Sequence, residues 1–357
     1  MKEHDYCKPQ VDYKSQSVSP DFLQEMISLQ KRVNELEQEN LKLRSKCLLL
    51  DDLKLDDNKF HNWTGFPNYL TFKALYDYLE AIALDKKKVW RGAEMKNSNQ
   101  NSRSKPGSAS KLTPEEEMFM VIVRLRAGLS VTDLAQRFSL SESSVSKLFT
   151  SWINLMYFHL KELCEMQQYE NYGKAKQFES FPHLRVILDC TEIFTQKPSS
   201  LKACKEIYSN YKSHTTFKFL IAINSHGSIV YVSRAWGGRT SDKHITANSV
   251  DFTATLNEGD EVMADRGFDI NEDMKERGVK VTIPDFKGTG RSQMKNAEGK
   301  CSEKIAEARI HVERAIQRIK TFQILLKQIP LSMAHLAEQV FVVCAYLVNF
   351  QAPILRQ

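Results

Sequence analysis

The chain has 357 residues and 42% hydrophobic content, enough for two or three domains with a sizeable core, and its formal charge of +6 leans towards an anionic partner. Seven cysteines (Cys7, Cys47, Cys164, Cys190, Cys204, Cys301 and Cys344) are scattered without a CxxC pair, which excludes a disulfide framework and a zinc site as expectations and points to a reducing compartment. No apolar run reaches the about eighteen residues of a membrane span, and the opening MKEHDYCKPQVDYK lacks a signal core, so an intracellular protein without a membrane partner is expected.

Residues 1–20 are polar and read as disordered. A heptad follows within 21–54: Phe22, Leu29, Leu36, Leu43 and Leu50 occupy d positions, and Met26, Val33, Asn40 and Cys47 occupy a positions. Arg32 with Glu37, Glu39 with Arg44, and Lys46 with Asp51 fall at g to e′ spacing with opposite signs. The pattern predicts a parallel homodimer through 22–50 whose register Asn40 would fix. Residues 60–94 hold a Gly-Phe-Pro turn and an aromatic helix of about fifteen residues by its periodicity. DKKKVW at 85–90 offers a short nuclear-import patch, though three lysines are usually only a solvated face. The Ser- and Asn-rich stretch 95–111 cannot bury a core and reads as a linker.

In 112–165 the signals are sharper. Thr113, Pro114 and Glu116 form a capping box that starts a helix running to about Ala127, where Gly128 ends it. Ser130 opens a second helix to about Phe138, and Ser141 opens a third. This is the helix-turn-helix pattern, in which Ser143, Ser144 and Lys147 would face the major groove of DNA.

From about 180 to 352 the texture is α/β. Strands are predicted at 185–191, 217–224 and 228–233, the last two joined by the turn NSHGS, then at 261–264 and 279–283. Helices are predicted from about Asp242 to Leu256, from about Ser302 to Leu326 and over 331–350, with a polar loop at 286–302. Asp189 and Asp265 each close an apolar strand, and Glu313 sits in a helix. Two strand-end aspartates and a helical glutamate are what a two-metal phosphoryl-transfer site requires, since hard Mg²⁺ prefers carboxylate oxygens and the ions clamp the attacking and leaving oxygens. Asp242 rivals Asp265 as second acid but reads first as a helix cap. Glu192 reads as a supporting or surface group, and Trp236 either stacks on an unpaired base or lies half-buried at an edge.

The motifs LDCTEI, GGRTSD, ADRGFD and RIHVERAIQRIK, in that order, resemble the catalytic domain of PIF/Harbinger-like DDE transposases. TGFPNYLTFKALYDYL with the helix-turn-helix is similar to the region preceding that domain in related animal transposases and their domesticated descendants. The resemblance implies an RNase H-like core, a mixed sheet flanked by helices, preceded by an all-α helix-turn-helix domain and the coiled coil. It implies Asp189, Asp265 and Glu313 as catalytic and metal-binding acids, two Mg²⁺ ions with Mn²⁺ as alternative, and DNA contacts by Arg239, Arg309 and Lys320. Arg309 and Lys320 match the family's Arg-x3-Glu-x6-Lys run around Glu313, and those offsets share one helix face. Ala306 stands where many related bacterial enzymes have tyrosine, and with only Cys7 before the coil no zinc-binding THAP module is expected in these residues. The expected activity is DNA cleavage and strand transfer at transposon ends in the nucleus, with room for a separate DNA-binding partner protein; the alternative is a DNA-binding regulator that no longer cuts.

Overall fold

The heptad stretch forms one helix, α1 (Pro20–Arg44). Phe22, Met26, Leu29, Val33 and Leu36 along it are all exposed, and Arg32 pairs within the helix to Glu35 at 3.3 Å. The computed structural model describes residues 20–44, 48–86, 111–164, 175–265, 267–268, 270, 274–283 and 296–354. They fall into two units, 1–49 and 50–357. The expected disorder of 1–19, the linker at 95–110 and most of the polar loop at 286–302 lie outside the described residues, as do Lys46 and Cys47. The last predicted seam position belongs elsewhere: Leu50 starts a short helix, α2 (Leu50–Leu53), and is buried in the second unit. Its apolar side chain goes to that unit's core rather than to the seam.

In the second unit the helical part begins with α3 (Asp57–Thr64), capped by Asp56 and ended by Gly65 at φ 82°. α4 (Tyr69–Lys86) follows the Gly-Phe-Pro turn. Phe60, Phe66, Phe72 and Phe119 then pack edge-on and stacked into an aromatic core. α5 (Pro114–Ala127) carries the full capping box at Thr113 and Glu116 and stops at Gly128, φ 62°. That left-handed conformation suits a residue without Cβ. α6 (Val131–Arg137) is capped by Ser130, and α7 (Glu142–Cys164) begins where Ser141 Oγ accepts from Ser144 N–H.

The sheet is mixed. Its strands are β1 (Leu184–Phe194), β2 (Tyr208–Ser209), β3 (His214–Asn224), β4 (Ile229–Val232), β5 (Trp236–Gly237), β6 (Glu261–Met263) and β7 (Lys280–Thr282), with path order β2-β3-β1-β6-β7 and β4 and β5 also paired to β3. β1 is antiparallel to β3 and parallel to β6, and β6 is parallel to β7. This curled mixed sheet with flanking helices is compatible with an RNase H-like core. Asn224 Oδ1 accepts from His226 and Ser228 N–H, and Gly227 takes φ 81°, which closes the β3–β4 hairpin.

One face of the sheet packs Val186, Leu188, Leu220 and Val262 against Ile245, Phe252 and Phe268. On the other, Phe219 stacks on Phe341 at 3.9 Å between centroids. Phe341 lies on the last long helix, α13 (Ala337–Leu347), flanked by 3-10 turns over 331–336 and 348–350. Leu331–Phe350 is long and apolar enough to cross a membrane, contrary to the expectation from sequence; 61% of its most apolar stretch is buried inside the protein. Its composition is that of a core helix packed between α7 and the sheet.

Two predicted helices are each broken. The 242–256 segment splits into α9 (Asp242–Ala247) and α10 (Val250–Thr253). Asn248 Nδ2 and Ser249 Oγ take the carbonyls of His244 and Ile245 that a continuous helix would use. The 302–326 segment is α11 (Asn296–Ile319) followed by α12 (Gln323–Leu326). Thr321 Oγ1 donates to Arg318 O, and Phe322 is extended. The short α8 (Leu201–Ile207) was not legible, because it buries no side chain and so leaves no periodic signal.

The paired glycines of GGRTSD have a packing reason. A Cβ on Gly237 would stand 2.4 Å from Glu206 O, and one on Gly238 would stand 2.0 Å from Thr216 Oγ1. These glycines let β5 approach α8 backbone to backbone. Gly238→Ala is expected to destabilise the chain by about 2 kcal/mol, as overpacking does, read as a lower urea midpoint with unchanged slope.

Candidate active site

β1 brings the first acid into the middle of the sheet. Asp189 does not close its strand as expected: β1 runs five residues further, and Asp189 pairs with Ile221 of β3. Thr191 and Ile193 continue the buried alternation, so the strand has no reason to stop at the acid. Asp265 does follow its strand, two residues beyond β6, after Ala264 N–H has bonded to Thr282 O. Glu313 lies on α11, one turn after Arg309, and is exposed.

These four groups share one electrostatic field. Arg309 Nη1 stands 3.2 Å from Asp265 Oδ1. Burial pushes the Asp189 carboxyl up to about 6; the Cys190 N–H that it accepts at 2.7 Å and the Arg309 charge pull it down, and Asp265 and Glu313 push it further up. The sequence-predicted acids are thus brought together, with Arg309 as counter-charge. Lys320, just past the end of α11, is held below the usual lysine range first by burial and then by Lys212, while Asp189 and Glu192 act in the opposite sense.

Among the described residues no three His, Cys, Asp or Glu side chains stand where they could hold a metal ion. The donor chemistry nonetheless fits a hard divalent cation, because such an ion prefers carboxylate oxygens and both Asp265 and Glu313 act on the buried Asp189. In this arrangement Arg309 provides the positive charge that a cation would otherwise bring.

The other predicted residues separate into distinct places. Ser143 and Lys147 are exposed at the start of α7, one turn apart, whereas Ser144 is partly buried with its Oγ 2.8 Å from Ser141 Oγ. Arg239 is exposed beyond the glycine pair. Asp242 is not the cap of α9; Ser241 Oγ accepts from His244 N–H in that role. Asp242 instead binds Lys218 Nζ at 2.6 Å and borders Gly267 of the ADRG loop. Glu192 accepts from Thr216 Oγ1 at 2.8 Å. Trp236 is covered by the Arg234 guanidinium at 4.3 Å and by the edge of His244. The ring is half-buried at the edge strand, with a cation over it.

Sequence reasoning missed Lys218 and Cys190. Lys218 Nζ also donates to Thr240 O at 3.2 Å, tying β3 to the GGRTSD loop. Burial and the neighbouring Asp242 push the Cys190 thiol well up. A lysine inside the apolar run FKFLIAI was the available signal, since an ammonium there needs a partner.

Residues 188–349 match the family model described as DDE superfamily endonuclease, and residues 110–162 match the one described as Helix-turn-helix of DDE superfamily endonuclease. No curated protein matches the chain. The first match spans Asp189, Asp265 and Glu313, and the second spans α5, α6 and most of α7. Over residues 188–349 the chain is therefore similar to DDE superfamily endonucleases, and over 110–162 to the helix-turn-helix of that superfamily.

Proposed function

We propose that the protein is a nuclear DNA transposase, or a domesticated relative, of the PIF/Harbinger-like kind, which cleaves phosphodiesters at transposon ends and joins the freed strand to target DNA. The observation that carries this reading is the convergence of Asp189, Asp265 and Glu313 on one field with Arg309. A carboxyl pushed up by burial and by two neighbouring acids is costly for folding and useful for chemistry. When bound by these three acids, two Mg²⁺ ions, or Mn²⁺ as alternative, would supply Lewis-acid stabilisation of the phosphoryl-transfer transition state. Arg309 and Lys320 then bind and orient the scissile phosphate and its neighbours, Arg309 by its planar fork and Lys320 as a point charge. Burial keeps Lys320 poorly hydrated, which strengthens its attraction for a phosphate. Ser143, Lys147 and Arg239 supply further DNA contacts from exposed positions.

The reading also includes a parallel homodimer through α1. The exposed stripe Phe22, Met26, Leu29, Val33 and Leu36 supports it, since a lone helix with such a stripe has nothing to bury it against. Two subunits would present two helix-turn-helix units to paired terminal sequences. A second reading, a regulator that binds DNA without cutting, draws on the Arg309–Asp265 pair, which engages one of the acids that cleavage requires. Whether a separate DNA-binding protein assists is left to pull-down on transposon-end DNA.

Cleavage of supercoiled plasmid with Mg²⁺ or Mn²⁺, beside EDTA, tests the enzyme reading. Asp189→Asn, Asp265→Asn and Glu313→Gln should each abolish nicking and leave DNA binding largely intact; equal inertness of wild type and variants would favour the regulator. Asp189→Asn should also stabilise the metal-free chain at pH 8 by about 2 kcal/mol. The sign follows from a folded-state value of about 6, above the unfolded one of about 3.9: the wild-type contribution is full below the lower value and is lost as pH rises through the upper one. Asn has no such loss, so urea midpoints should diverge with rising pH. Lys147→Ala should weaken DNA binding and lower its salt slope by about one unit. Leu29→Asp with Leu36→Asp should convert the dimer to a monomer in light scattering, and an unchanged mass would reject α1 as the dimer contact.

A further inference from the structure

Past Asp189 the sheet carries a projection that the acid cluster does not account for. β1 runs on to Phe194, α8 follows, and the tight turn between β2 and β3 returns the chain to the sheet. From Phe194 to His214 there are four lysines, Lys197, Lys202, Lys205 and Lys212, and one acid, Glu206. All four lysines are exposed. None of the four pairs with a carboxylate among the described residues.

Aromatic rings are set among these charges. Tyr211, at the tip of the turn, is 84% exposed, and Lys212 Nζ lies 4.6 Å from its ring centroid. Tyr208 and Phe194 are partly exposed as well, and Phe194 meets His214 edge-on at 5.4 Å. Seven-residue α8 buries no side chain, so burial of its own side chains does not explain its presence. It is held in place by the close backbone approach of Gly237 and Gly238. The base of the projection is fixed too: Thr195 N–H bonds to Thr215 O, Thr215 Oγ1 to Thr195 O, and Gln196 N–H to Ile329 O. The result is a firmly rooted surface of cations and an exposed tyrosine with one lysine against its ring.

This surface adjoins the acids. Its root is built on the strands that hold Asp189, Phe194 pairing with Thr216 as Asp189 pairs with Ile221, five residues apart along β1, and Lys212 acts on the charge of Lys320. Mobile lysine charges suit backbone phosphates, and an exposed ring suits the face of an unpaired base. An acidic peptide would use the lysines but would leave the tyrosine without a partner.

We propose that α8 and the β2–β3 turn form a ledge for the DNA strand that leaves the cut site, with phosphates on Lys202, Lys205 and Lys212 and an unpaired base stacked on Tyr211. The proposal rests on the reading of the neighbouring acids as a DNA-cleaving site. It adds a strand-holding surface and a preference for unpaired DNA beside the scissile bond.

The test is binding by the full chain carrying Glu313→Gln, in EDTA, so that nothing depends on cleavage. The probes are a blunt duplex and the same duplex with a single-stranded extension bearing 2-aminopurine. Tyr211→Ala should weaken binding of the extended probe on the order of tenfold and abolish quenching of the 2-aminopurine, Tyr211→Phe should restore both, and the blunt duplex should be unaffected. Replacing Lys202, Lys205 and Lys212 together by alanine should lower the salt slope for the extended probe by about two units, from roughly 0.7 per phosphate contact on a single strand. Unchanged affinity and slope in the lysine variant would overturn the ledge, as would equal effects of Tyr211→Ala on both probes. If the wild type fails to cleave with any metal while the ledge variants still lose the extended probe, the cleavage reading falls and the ledge stands. If cleavage is metal-dependent and the ledge variants bind as wild type, the reverse holds.

Discussion

A carboxylate on a strand held by a continuous antiparallel ladder along one side cannot move freely away from the sheet, and the arrangement around β1 follows from that constraint. Asp189 is fixed by β3 pairing along Val186–Phe194, so its charge must be managed where it stands. Arg309 is brought from α11 to face it, and the price is a desolvated acid whose proton affinity is raised. On the neighbouring positions of β1 the polar groups are matched individually: Cys190 with Asp242, Glu192 with Thr216, and Thr195 with Thr215. Charge placed on a central strand is retained at a cost in stability, as is usual where chemistry requires it.

The helix-turn-helix is built into the same unit as the sheet rather than tethered to it. Tyr157 of α7 donates to Glu338 at 2.8 Å, Lys327 donates to Gly128 O at 2.9 Å, and Arg126 bonds Thr321 beside Lys320. The turn after α5 therefore touches the segment that follows α11. A shift in one would be felt by the other through contiguous packing, which is a physical route for coupling and not in itself evidence of it.

How much of this was legible depended on whether a residue's reason was local. The cap at Thr113, the stop at Gly128, the cap at Ser130 and the NSHGS hairpin are each decided within a few residues, and the chain follows them. Breaks in helices were not legible although their hydrogen bonds are local, Asn248 to His244 O and Thr321 to Arg318 O, because side chains make the same bonds within unbroken helices. Leu50 fits the heptad and is nevertheless recruited by another core. At the site, strand and helix contexts pointed to the acids, but the Lys218–Asp242 pair needed two strands and a loop to meet. The role of the paired glycines is similar: only the approach of α8 explains them.

α7 has the widest consequence. Its first turn displays Ser143 and Lys147 to solvent, while Trp152, Ile153, Met156 and Leu160 are buried, and the helix packs against both α5 and α13. One helix thus belongs to two hydrophobic cores at once. A helix built this way is not a cassette: cutting it out at residue 165 would strip the sheet of a wall and leave the excised piece with an uncovered apolar flank. Change in what it displays would have to proceed by substitution at the exposed first turn, with the rest of the helix held constant by the body it helps to close.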